Sequence, residues 1–148
     1  MRLERTEQQL RVFQRISRFM VREMSLAEVL QGIVDLVGEY MECDSCLIYL
    51  IDHGELVLCS SKPFHPASIG RVKLKMNEGL TGWVAQTGKP ARVGDVTKDK
   101  RYIMLRPEVR SELAVPLEVE GEVRGVLNVD SERLNAFTAD DQELLESL

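Results

Sequence analysis

The chain has 148 residues, the size of one domain, and at that length roughly 68–70% of the unfolded surface is buried on folding, enough for a core without metal or disulfide staples. A hydrophobic share of 44% beside 29% charged residues fits a globular protein, and a formal net charge of -5 argues against general nucleic-acid binding. No apolar run reaches the length of about 18 residues that a membrane span needs, and no export signal is recognisable, so a cytoplasmic protein is expected.

Residues 1–24 read as one amphipathic helix. Leu3, Leu10, Phe13, Ile16, Met20 and Met24 fall on one side and Arg11, Arg15, Arg18 and Arg22 on the other. Leu10, Phe13, Met20 and Met24 also fit a heptad frame, with Ser17 as its polar interruption. Such a stripe needs a partner: its own domain, the same helix of a second chain, or an anionic membrane surface. Pairing with a second copy is the expectation, giving a homodimer through the N- and C-terminal helices.

Ser25 and Glu28 form a Ser-x-x-Glu capping box that restarts the chain as a second helix, in which Leu26, Val29, Leu30, Ile33, Val34 and Val37 recur at three and four spacing. A strand is predicted over 45–51, a turn at Asp52-His53-Gly54, and a second strand over 55–60. Pro63 and Pro66 punctuate the chain. Ile69, Val72, Leu74 and Met76 then alternate with Arg71, Lys73 and Lys75 as a third strand.

Between 77 and 95 the chain carries Gly79, Gly82, Gly88, Gly94 and its only tryptophan, Trp83. Asn77 is the predicted N-cap of a two-turn helix over 80–87, Gly88 its terminator, and Pro90 a block to continuation. A short helix framed by glycines reads as a lid across a sheet. A brief strand over 91–93 follows. Residues 96–111 are expected to be a loop with one helical turn, and a connection this long in a compact domain is usually functional. Strands over 112–119 and 123–130 join at Glu120-Gly121, where the hairpin is expected to supply the sheet centre. Pro116 implies a bulge or an unpaired edge. Thr138 and Asp141 cap a last helix from Ala139 to the end.

No catalytic constellation is apparent. His53 and His65 lie in a turn and a proline-flanked segment, and the GLTG string at 79–82 lacks the lysine of a phosphate-binding loop. Cys43 and Cys46 form a C-x-x-C string, but no second Cys/His cluster accompanies it. The three cysteines, Cys59 included, are read as buried reduced thiols.

The strings NEGLTG at 77–82, QTGKP at 86–90, VGDV at 93–96, LAVPL at 113–117, GVLNVD at 125–130 and Phe137-Thr138 occur in an order and spacing that resemble a GAF domain, from about residue 25 to the end. The resemblance implies an α+β fold: an antiparallel sheet of about six strands, the terminal helices on one face, a lid helix and loop on the other. It divides the chain into a dimerising helix, 1–24, and a GAF domain, 25–148, excised from a larger protein whose output module is missing. It also implies a regulatory sensor for a small molecule of unknown identity.

Family ligand classes are separable by position. Asn128, Phe137 and Asp141 match a cyclic-nucleotide motif, but Val129 and Gln142 replace its charged pair. Relatives that reduce free methionine sulfoxide carry cysteines where this chain has Thr81 and in the loop before the strand matching Leu113–Val119, where this chain has none between Thr97 and Glu112, so no enzyme activity is expected. A bilin cysteine near the lid is missing, and only His65 stands as a haem candidate. A generic pocket remains, roofed by Trp83 and the 96–111 loop, with Glu112 and Asn128 on its floor. Asp95, Arg101, Tyr102, Arg106 and Arg110 are its expected polar contacts. The competing expectations are a core anchor for Trp83, solvated loop charges for the arginines, and a dimerisation scaffold without ligand.

Overall fold

The computed structural model describes residues 2–21, 25–63, 68–104 and 106–148. Its elements, in chain order, are α1 (Arg2–Val21), α2 (Leu26–Tyr40), β1 (Ser45–Asp52), β2 (Glu55–Lys62), β3 (Lys73–Lys75), α3 (Gly79–Thr87), β4 (Ala91–Val93), a 3₁₀ turn (Val96–Lys98), β5 (Ser111–Val119), β6 (Glu122–Ser131) and α4 (Ala139–Glu146). Leu3, Ile16, Met20 and Met24 of the expected apolar stripe, Arg18 and Arg22 opposite it, and His65 lie outside the residues or side chains described.

One antiparallel sheet in the order β3-β2-β1-β6-β5-β4 organises the domain. The β5–β6 hairpin turns at Glu120 and Gly121, with φ of 53° and 81°, as the dipeptide implied. The sheet centre, however, is the β1–β6 pair, and β5 lies one strand from the edge. β4 reaches along β5 only as far as Ala114, so the side of Pro116 away from Val126 is unpaired, where its missing N–H costs nothing. A register shift follows at Leu117 and Glu118.

Alternation along the strands sends consecutive residues into two layers. Leu113, Val115, Leu127, Val129, Cys46 and Ile48 pack against Leu30, Val34 and Val37 of α2 and Leu144 and Leu145 of α4. Tyr49, Ala114 and Val126, with Leu56 and Leu58, pack against Leu80, Val84 and Ala85 of α3 and Val96 and Val109 of the loop.

The helix ends obey local chemistry with one exception. Ser25 Oγ accepts from Glu28 N at 3.2 Å, and Thr138 and Asp141 form a complete capping box. Gly88 closes α3 in the left-handed region at φ 69°, a conformation glycine adopts without a Cβ clash. The exception is the start of α3: Glu78, not Asn77, is its N-cap, and no side chain bonds there. The first-turn N–H groups of α3 are therefore left without a side-chain partner of the usual kind.

α1 lies outside the sandwich, on α2. Gln8 Nε2 donates to the Tyr40 carbonyl at 2.9 Å, Val12 is buried, and Arg15 pairs with Glu39. These three residues share one face. Leu10 and Phe13, 56% and 57% exposed, point the other way by helical geometry. For the described part of the stripe, packing on its own domain is thereby ruled out.

Candidate functional site

Below α3 the sheet presents polar groups where a core would present methyls. Glu112 and Asp130 are cross-strand partners, Ser45 pairs with Asp130 from β1, and Asn128 is two residues along β6 on the same face. All four are buried, Glu112 at 8% exposure and Asn128 at 3%. Each needs a compensating partner, because an unpaired polar group in a low-dielectric interior costs about 1–3 kcal/mol.

Partners are only partly supplied. Arg106 reaches in from the loop, its Nη2 donating to Asp130 Oδ1 at 2.7 Å and to Ser45 Oγ at 3.3 Å. The Asn128 amide donates to the Glu112 carboxyl. Asn128 Oδ1 is buried with no hydrogen-bond partner. Desolvation, reinforced by Asp130 and Asp99 and opposed by the Asn128 bond, pushes Glu112 up to about 7. Burial, with Glu112 and Asp130 adding to it, likewise pushes the Tyr49 hydroxyl up to about 12.

A cavity of about 30 Å³ adjoins Glu112, lined also by Leu74, Glu78, Gly79, Leu80, Thr81, Tyr102 and Ile103. It has room for about two waters, so a larger guest requires the lid or loop to move. A wider groove of about 540 Å³ runs from Gly88 and Pro90 past Pro116–Val119 to Leu145, but its polar side chains, Glu118 and Glu146, are exposed. We therefore place the chemistry at the smaller cavity.

The loop over the cavity is held at its base and along its length. Val96 N donates to the Arg110 carbonyl at 2.9 Å and Arg110 N to the Ser131 carbonyl at 2.8 Å, which brings the two ends of the loop together. Arg101 is gripped bidentately by Asp99, at 3.0 and 2.7 Å, and stacks 4.3 Å from the Trp83 ring centroid. The Asp99 bonds and the ring thus latch loop to lid.

The sequence-expected site residues separate into groups. Glu112 and Tyr102 line the cavity, Asn128 bonds Glu112 from below, and Trp83 and Arg101 form the latch. Asp95 does not line it: its Oδ1 caps the 3₁₀ turn, accepting from Thr97 N at 3.0 Å and Thr97 Oγ1 at 2.6 Å, and these bonds hold its carboxyl below the usual range. Arg110 is spent on the Pro107 and Val109 carbonyls. Sequence reasoning missed Asp130, although its place two residues after Asn128 on a strand was a usable signal, and it missed Ser45.

All three cysteines pack in the other layer, against the helix-side core. Burial pushes Cys43 up to about 11 and Cys46 well above its ordinary value, and raises Cys59. Among the described residues no cluster of His, Cys, Asp or Glu is suited to a metal ion, and no helix is long and apolar enough to cross a membrane.

A short helix and latched loop over one face of a six-stranded antiparallel sheet, with helices on the other, define a layered α+β architecture. The chain belongs to the GAF domain family, whose profile matches residues 23–148. It is 36% identical over 98 residues to GAF domain-containing protein A of Dictyostelium discoideum, covering 66% of this chain and 60% of that protein. Free methionine-R-sulfoxide reductase of Escherichia coli is 30% identical over 68% of this chain and 58% of its own length. The Nif-specific regulatory protein of Herbaspirillum seropedicae is 26% identical over 77% of this chain but only 22% of its own length. Among solved structures, the GAF domain of an Acinetobacter phosphoenolpyruvate-protein phosphotransferase superposes with a TM-score of 0.84 at 29% identity, covering 97% of this chain and 87% of that one. The chain thus spans less than two thirds of the length of the Dictyostelium, Escherichia and Herbaspirillum relatives.

Proposed function

We propose that this chain is a cytoplasmic regulatory sensor module, in which a small molecule held between lid and sheet biases the lid, and a second copy joined through α1 carries that state to an attached output module. The observation that carries the reading is the buried set Glu112, Asn128 and Asp130, incompletely partnered and covered by a helix that Arg101 ties to the loop. A ligand shifts such an element only by its differential affinity for the open and closed forms. Residues of this kind cost stability, which a guest that completes their hydrogen bonds would recover in part. A regulatory role is supported by the relatives' names, a Nif-specific regulatory protein and a phosphotransferase domain.

The test is a thermal-shift screen over a metabolite panel, with native mass spectrometry of the purified protein. A hit that alters Trp83 emission, and whose affinity falls in Arg101→Ala or Tyr102→Phe, supports the reading. Failure of every compound leaves the ligand-free scaffold as the better account. Dimerisation is supported by the outward Leu10 and Phe13. Light scattering at tens of micromolar should give a dimer, and the double variant Leu10→Glu, Phe13→Glu should give a monomer. A wild-type monomer removes that half of the reading.

We read the chain as non-catalytic. The similarity to a free methionine-R-sulfoxide reductase makes thiol chemistry the rival. Against it stand thiols that are protonated at neutral pH and packed on the face away from the cavity, since only the thiolate is a nucleophile. Turnover of free methionine sulfoxide with a thiol reductant, abolished by Cys59→Ser, would decide for the enzyme.

A further inference from the structure

On the loop between 96 and 111 two large apolar side chains stand together in water. Ile103 and Met104 are 42% and 68% exposed, the one adjacent pair of its kind among the described residues. Leu26, Val119 and Leu134 are exposed singly, which is ordinary for a folded chain, and Leu10 and Phe13 belong to the α1 surface. The loop that carries the pair is anchored at its base by the buried Val96 and Val109. Tyr102 N donates to the Asp99 carbonyl at 3.2 Å, so the pair follows directly on a hydrogen-bonded turn.

The same loop is basic in an acidic chain. Residues 97–110 hold five Lys and Arg against two Asp and Glu, whereas the whole chain has a formal net charge of -5. Arg101 is paired with Asp99 and Arg106 with Asp130. Lys98, Lys100 and Arg110 are exposed and, among the described residues, enter no ion pair. Asp95 offsets Lys98 and Arg110 only through space, its Oδ1 being bonded to Thr97. That leaves Glu108 as the loop's one unengaged carboxylate against three free cations. Lys100 is within about 14 Å of Met104 by chain length alone.

Flexible aliphatic side chains flanked by free cations match an anionic bilayer, which takes the apolar tips at the headgroup boundary and the cations at its phosphates. The acidic remainder of the chain is repelled by such a surface, which orients the domain loop first. A nucleic acid calls for an exposed ring to stack on, and Tyr102 is instead packed in the lid layer. A protein contact is commonly anchored by Trp, Tyr or Arg, and here Trp83 and Arg101 are spent on each other.

We propose that Ile103 and Met104, flanked by Lys98, Lys100 and Arg110, dock this domain on the surface of an anionic phospholipid bilayer. The contact is peripheral and reversible, since two side chains bury far less than a lipid anchor. It goes beyond the sensor reading and does not rest on it.

The test is co-sedimentation of the full chain with phosphatidylcholine vesicles containing about 30% phosphatidylserine, against vesicles of phosphatidylcholine alone. Binding to the anionic vesicles is expected, at least about tenfold weaker on the neutral ones, and lost at about 1 M salt, where the screening length falls to about 3 Å. Lys98→Ala combined with Lys100→Ala should weaken it about 25-fold, about fivefold per charge. Met104→Asp should weaken it about tenfold or more, by losing the apolar insertion. Both variants change exposed side chains, and the comparison of the two vesicles with the wild type is independent of either. Equal binding to both vesicles, or wild-type binding in Met104→Asp and the lysine variant, overturns the proposal. So does absence of binding to the anionic vesicles, and self-association abolished by Met104→Asp would then assign the tip to a contact between copies. None of these outcomes bears on the metabolite screen, which tests the sensor reading separately.

Discussion

Along β6, Leu127 and Val129 belong to the layer under α2 and α4, while Asn128 and Asp130 between and beyond them belong to the layer under α3. The backbone is the same and the pleat alone divides them. On the helix side Cys46, Ile48, Leu127 and Val129 of the central strands are apolar and fully buried, so that face supplies stability. On the lid side carboxylates and an amide occupy equivalent depth, and only part of their bonding is met by the protein itself. The contrast teaches that burial has opposite consequences on the two faces: it supplies stability under the helices and costs it under the lid.

The largest expected effect breaks the helix face. Leu127→Ala removes a fully buried side chain from the layer between α2 and α4, and should cost about 4 kcal/mol, the upper range for leucine truncation in a core that collapses little. Urea denaturation reads it as a lower midpoint at unchanged slope.

Next in size, the pH dependence of Glu112 sharpens the lid face. A carboxyl at about 7 in the folded chain against 4.5 unfolded binds more protons when folded, so stability falls as pH rises between those values. At pH 8 the penalty is about 3 kcal/mol, and below pH 4 it is gone. Asp130, also raised by burial, acts in the same sense, and its coupling to Glu112 is relieved in Glu112→Gln along with the Glu112 charge. That variant should match the wild type at low pH and exceed it at pH 8. Parallel curves for the two proteins would show that Glu112 is solvated.

A smaller effect is expected for the lid's seat on the sheet. A Cβ at Gly82 would stand 2.8 Å from the Lys75 carbonyl oxygen and 3.0 Å from the Asn77 carbonyl carbon, both backbone, so Gly82→Ala must lift α3. The expected cost is about 2 kcal/mol, with faster hydrogen exchange across 79–87 and little change in α2. Exchange accelerated equally in both layers would mean that the faces are one cooperative unit.

The smallest effect is expected from the latch. Arg101→Ala removes the stack on Trp83 and should cost about 1 kcal/mol or less, while shifting Trp83 emission as the ring gains solvent. An unchanged spectrum would make Trp83 a core anchor only.

Much of this was legible locally. Ser25 and Thr138 announced their helices because a cap is a contact between residues three apart, and Gly88 ended α3 because its backbone conformation is its own property. Strand alternation foretold which residues share a face, and the turn dipeptides foretold the hairpins. The exceptions are equally physical. Asn77 has the right side chain for a cap, yet Gly82 must approach the backbone at Lys75, and that close seat sets where α3 begins. The third strand, expected over 69–76, shrinks to Lys73–Lys75, because the chain turns just before it, with Arg71 N and Val72 N donating to the Ser68 carbonyl and Gly70 at φ 76°.

What the sequence by itself determined was the list of elements, the two-faced sheet and the presence of polar residues within it. Only the tertiary structure decided which charges cancel. Arg101, Arg106 and Arg110 look alike in the sequence, but one stacks on Trp83, one neutralises Asp130 and one ties down its own loop. Asp95 and Glu112 likewise both read as pocket carboxylates, and one caps a turn while the other is left buried without a cation. Helix caps and strand faces depend on residues two to four apart, which a sequence displays. Charge pairing across a fold depends on distances between residues tens of positions apart, and those exist only once the chain has closed.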